Sequence, residues 1–192
     1  MKRRYAVVLT IILLAISSGL YSQDNLSPQR KQAIDSLALE KVRDLSKYIS
    51  IIGDKSTAWS EAQRVIERAV ELFMEGSEVG VSSIARPEIH NYKVREYFDR
   101  LMKLNYDKVT IDWYKIQYVS DLEKQPDGTY VGVITIYQRS QGYDREKGLI
   151  YEDTTKKDIT IYVKHKETQI GGRLIGFWDV LLGDIRIKET SK

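Results

Sequence analysis

The 192-residue sequence predicts an α+β fold, with N-terminal helices packed on a curved four-stranded antiparallel meander sheet. Three observations predict it. Apolar residues recur at helical spacing as far as Leu104. After that point the chain turns into four long runs rich in Val, Ile, Thr, Tyr and Trp. Turn signals separate the later runs, as hairpins between antiparallel neighbours require.

The chain opens MKRRYAVVLTIILLAISSGLYSQ, with Lys2, Arg3 and Arg4 ahead of a dozen apolar residues and then small ones. That order predicts a secretory signal peptide over 1–22, with Ser22 as the last residue before cleavage. The apolar run is shorter than the ~20 residues a membrane-spanning helix needs. No transmembrane helix is therefore expected after cleavage. Residues 23–55 are expected to form an accessory helix. Ser27 caps it, Pro28 takes its first position, and Ile34, Leu37, Val42, Leu45, Ile49 and Ile52 make a narrow apolar stripe. Gly53 ends it.

A second helix is expected over 57–75, with Ala62, Val65, Ile66, Ala69, Leu72 and Phe73 on one face and Gly76 as the stop. Residues 77–90 read as a loop with a short extended piece over 79–84. Pro87 keeps Arg86 out of helical geometry. Asn91 is placed to cap a third helix, in which Val94, Tyr97, Phe98 and Leu101 share a side.

The predicted strands cover 108–118, 130–138, 149–163 and 174–187. Pro126-Asp127-Gly128 and Gly171-Gly172 supply tight turns, and the polar stretch 142–148 is a longer connection. In the first strand the apolar phase of Val109, Ile111 and Trp113 slips to Ile116 and Tyr118, so a bulge is expected near Tyr114. The last strand, GFWDVLLGDIRI from Gly176, is apolar in both phases. A strand of that kind is covered on both faces or buries one in a partner.

Composition excludes several classes. Removing 1–22 takes away three basic residues and no acidic one, leaving 27 of each and a formal net charge of zero. Without a basic surplus the mature chain has no electrostatic footprint for nucleic acid. With no cysteine, disulfides, thiolate metal sites, a cysteine nucleophile and a lipoprotein anchor are excluded. About 170 residues remain, enough for one domain with its own core.

The order of helices followed by a bent sheet resembles the nuclear transport factor 2-like superfamily, in which helices fill the concave side of a curved sheet to form a cone. The cystatin-like folds are a near neighbour. The stretch REYFDRLMKLNYDKVTIDWYKIQYVSDLEKQPDGTYVGVITIYQ also looks like uncharacterised exported bacterial domains of this kind. The resemblance covers about 57–187 and assigns 56–192 to the domain, with the first helix outside the usual set. It contains no catalytic signature, so no functional residue is carried across.

His90 and His165 belong to no ligand motif, so no metal or other cofactor is expected. GDKST at 53–57 lacks the spacing of a phosphate loop, and no G-x-S-x-G elbow exists. Eight of thirteen tyrosines fall in the strand half, where they suit a half-buried pleated surface or the wall of a pocket. The resemblance implies that an Asp beside a Tyr or Arg inside a cone can serve as a base. The candidates are Asp179 and Asp112, with Trp113, Tyr137 and Trp178 as ligand-binding walls. An Asp walled by apolar residues would have its pKa raised, whereas one paired with Arg173, Arg186 or Lys115 would be structural.

The expectation is thus an exported bacterial cell-envelope protein, periplasmic, secreted or outer-membrane-associated. It is a non-catalytic module binding an envelope partner or a second copy as a homodimer. The alternative is a small-ligand binder or enzyme using an Asp/Tyr pair in the cone.

Overall fold

The apolar stripe of the first helix, α1 (Pro28–Gly53), buries Ile34, Ala38, Val42, Leu45, Ile49 and Ile52, one residue per turn. Ala38 takes the inward place expected for Leu37, which stays half-buried. The computed structural model describes residues 26–118 and 120–191, and the signal peptide expected over 1–22 lies outside them. The chain divides into units 1–32 and 33–192. Of the first, 26–32 are described. They begin α1, where Ser27 Oγ accepts the N–H of Arg30 at 3.3 Å.

The second unit holds everything else. Gly53 of α1 faces Leu101, Val109 and Ile111, and Ser50 Oγ donates to the carbonyl of Ile111 at 3.0 Å. Helix α2 (Trp59–Val70) buries Ala62, Val65, Ile66 and Ala69. It is shorter than expected because Leu72 to Met74 leave helical geometry to bond the backbone of Leu182. Two strands follow, β1 (Glu78–Ser83) and β2 (Arg86–Lys93), then helix α3 (Val94–Met102) with Val94, Tyr97, Phe98 and Leu101 buried. The remaining strands are β3 (Lys108–Tyr118), β4 (Glu123–Lys124), β5 (Tyr130–Asp144), β6 (Gly148–Ile170) and β7 (Arg173–Ser191).

The expected four-stranded antiparallel meander is overturned. The sheet has seven strands in the order β2-β1-β7-β6-β5-β3, with β4 paired to β5. It is mixed, because β1 runs parallel to β7 through Val79 and Ile185. The physical reason lies in β1 and β2. Residues 78–93 carry little alternation, since β2 is an exposed edge and Pro87, which has no N–H to pair, is tolerated there. Asn91, expected to cap α3, sits in β2 opposite Gly80. The stretch expected as a 142–148 loop is mostly ladder, with β5 running to Asp144 and β6 starting at Gly148. The register of β3 against β5 shifts between Trp113 and Lys115, at Tyr114.

One face of the sheet carries the core. Ile134, Ile136, Ile159, Ile161, Val163, Val180, Leu182 and Ile185 are at most 3 % exposed. Burying each such side chain contributes roughly 1.5–3 kcal/mol.

Candidate functional site

The inward positions of β6 alternate without a break from Asp153 to Val163, but their chemistry changes midway. Ile159, Ile161 and Val163 are core, whereas Asp153, Thr155 and Lys157 are equally buried and polar. Directly across the ladder, Gln138 of β5 stands opposite Thr155 and Ser140 opposite Asp153. These residues line a cavity of about 720 Å³. Its apolar wall comes from Val81 on β1, Leu101 on α3, Leu104, and Val109 and Ile111 on β3. Both edge strands, β2 and β3, contribute to this one cavity, so the sheet curls around it.

A hydrogen-bond network ties the polar floor together. Gln138 Oε1 accepts from Lys157 Nζ at 3.2 Å and from Trp113 Nε1 at 3.1 Å, and its Nε2 donates to Ser140 Oγ at 2.9 Å. The Tyr151 hydroxyl donates to Asp153 Oδ2. Asp153 Oδ1 is buried without a hydrogen-bond partner. Nearby, the Tyr106 ring lies over Gly142, where a Cβ would stand 2.6 Å from it. Tyr106 also packs on Tyr151, with ring centroids 6.2 Å apart. Only a glycine lets the ring sit that close.

Burial governs the protonation of these groups. Desolvation pushes the Lys157 ammonium down to about 8, partly offset by the Asp153 charge. Desolvation likewise raises Asp153, against the hydrogen bond from Tyr151, the nearby Ser140 hydroxyl and the charge of Lys157. Tyr151 is raised by desolvation and then by its bond to Asp153. The site therefore holds an amine close to its titration point and a carboxyl that resists ionising.

The residues singled out from sequence stand elsewhere, with one exception. Trp113 reaches the network through Gln138. Asp179 is on the sheet face opposite Val180 and Leu182, where Lys166 Nζ holds it at 2.6 Å. Asp112 is exposed, opposite Arg139 in the register. Tyr137 alternates with the inward-facing Ile136 and Gln138 and has Lys115 and Lys156 over its ring at 5.2 and 5.8 Å. Trp178 packs edge-on against Tyr130 and His165, with centroids 5.7 and 5.1 Å away. His90 lines the cavity, 3.9 Å from Glu88. Among the described residues no group of three or more His, Asp or Glu could hold a metal ion. None of their helices is long and apolar enough to cross a membrane.

The signal for the missed residues was present in the sequence. Extending the phase of Ile159, Ile161 and Val163 backwards places Lys157, Thr155 and Asp153 inward.

No protein-family model matches the chain, and no curated protein sequence matches it. Among solved structures the chain is similar to an epoxide hydrolase/cyclase-like enzyme, SalBIII, with a role in pyran ring formation in the polyether salinomycin. The identity is 16%, over 83% of this chain and 99% of that one, with a TM-score of 0.29. A likeness at that level decides neither fold nor chemistry.

Proposed function

We propose that this chain is an exported small-ligand-binding protein whose ligand occupies the cavity between the sheet, α3 and the β1–β2 hairpin. One observation carries the reading. Lys157, Asp153 and Gln138 are buried polar groups that line the cavity. Desolvating an ammonium and a carboxyl is unfavourable, and a fold that needed only stability would place apolar residues there. A concave site with apolar walls and a few convergent polar groups is what small-ligand recognition uses. The Asp153–Tyr151 pair supplies the acid and hydroxyl that a cone-type site of the nuclear transport factor 2-like kind would employ. Membership of that superfamily is part of the proposal. The basic and apolar segments within 1–22 support the export part of the proposal.

The test is a fragment screen followed by amide chemical-shift mapping on the protein expressed from the full-length sequence. Shifts clustering at Gln138, Ser140, Asp153 and Lys157 support the reading. Fragments that perturb only other surfaces, or none, overturn it. N-terminal sequencing after expression in a Gram-negative host checks the leader, with a mature chain starting at Gln23 expected.

A second reading rests on a different observation. Beyond the last β5 pair, Tyr130 with Val163, strands β6 and β7 continue as a two-stranded arm. Ile170, Leu174, Ile175 and Phe177 of that arm are exposed, Leu174 at 73%. Joining a second copy would cover this apolar surface. Light scattering compares the wild type with Leu174→Lys/Phe177→Lys, and a monomer in both removes the reading.

A further inference from the structure

Lys157 is a cation buried to 4% exposure, and its Nζ bonds to a neutral amide oxygen. Among the described residues no carboxylate lies within ion-pairing distance of it. The Asp153 charge offsets only part of the hydration this buried ammonium has lost, because it is not in direct contact. One of its three donors is spent on Gln138, and the residue lines the cavity.

We infer that the ligand is an amphipathic molecule bearing a carboxylate, with the carboxylate on Lys157 Nζ and its carbon skeleton along Val81, Leu101, Leu104, Val109 and Ile111. This rests on the ligand-binding reading of the same cavity. The charge of the lining agrees. Arg86, Arg100 and Lys103 also line the cavity, against Glu88 and Asp153 as its acids. Burial of Lys157 then makes chemical sense. The ion pair completed by the ligand forms out of water, where it is stronger than at a surface. Burial keeps the amine near its titration point, at about 8, and an anion beside it would favour the charged form.

The experiment compares three ten-carbon probes of one chain length by calorimetry on the full-length protein: decanoate, decanol and decylamine. Decanoate is expected to bind at least about tenfold more tightly than decanol, as a charge-assisted hydrogen bond supplies. Lys157→Met should remove that advantage while leaving decanol within about twofold, and this also shows that the variant folds with its cavity intact. Lys157→Arg keeps the charge and should retain more of the preference than Met does. Equal binding of decanol and decanoate, or tightest binding of decylamine through Asp153, overturns the carboxylate assignment and leaves the cavity reading standing. Failure of all three probes overturns it too, and shift mapping with the fragment screen then decides separately whether the cavity binds anything.

Discussion

Two stretches of β6 share one face, one alternation and one degree of burial, yet behave differently. At 159–163 the inward side chains are Ile, Ile and Val, buried opposite Ile134, Leu182 and Val180 in the ladder. At 153–157 they are Asp, Thr and Lys, which line the cavity, with Lys157 bonded to Gln138 of β5. Alternation therefore decides which residues are inside, and residue type decides whether an inside position is core or site. The difference locates function more sharply than exposure does, because nothing in the pattern of burial separates the two halves.

Transplanting chemistry across the boundary should produce the largest effect. Ile161→Lys puts an ammonium at a fully buried core position, and is expected to destabilise by at least about 4 kcal/mol, enough to unfold the domain. Circular dichroism and urea titration read it directly. A folded Ile161→Lys protein would erase the distinction between the two halves.

The reverse exchange should stabilise. Lys157 is held at about 8 instead of 10.5, so the folded state loses its proton first as pH rises. Between those values the unfolded chain binds more protons, and stability must increase with pH. The penalty is full below about 8 and gone above about 10.5. Lys157→Met removes it, and the expected gain at pH 7 is on the order of 1–3 kcal/mol, shrinking to nothing at high pH. Equilibrium unfolding of both proteins at several pH values measures the crossover. A gain independent of pH would mean that packing, not charge, separates them.

Asp153 titrates with the opposite sign. Its folded-state carboxyl is raised by burial, so the folded state holds the proton that the unfolded chain has already released. Stability falls as pH rises from the ordinary carboxylate range through the raised value. Asp153→Asn keeps an oxygen to accept the Tyr151 hydroxyl and removes the charge. It is expected to stabilise by about 1 kcal/mol at neutral pH, with the gain disappearing on acidification. Loss of stability instead would show that Asp153 is fully paired in the native state.

The helices were legible because their apolar stripes repeat over two turns or more and are set by burial alone, as in Val94, Tyr97, Phe98 and Leu101. The register slip at Tyr114 was legible for the same reason, since a strand with one buried face cannot shift phase without a bulge. β1 and β2 were not. An edge strand with Pro87 and an exposed face needs no alternation, and the parallel pairing of β1 with β7 joins positions over a hundred residues apart. The candidate site was hidden by a rule of thumb. Asp179 among hydrophobes attracted notice because an acid is conspicuous there, whereas Lys157 lies in TTKKD, which reads as solvated charge. Position along the alternation, not the apolar company kept in sequence, identifies the buried one.

Asp179 supplies the smallest and most discriminating effect. Its carboxylate lies 2.6 Å from Lys166 Nζ, a diagonal pair across β6 and β7, with side-chain exposures of 21% and 49%. Half-exposed pairs contribute about 0–1 kcal/mol, because water already screens both charges and two side chains must be fixed. Asp179→Asn and Lys166→Ala are each expected to cost less than about 1 kcal/mol, and the double variant no more than their sum. Neither should alter decanoate binding, since Asp179 points away from the face that carries the cavity. A binding loss in Asp179→Asn that Lys166→Ala does not share would move the site to the β7 strand. Equal and small losses of stability alone leave function with the polar half of β6.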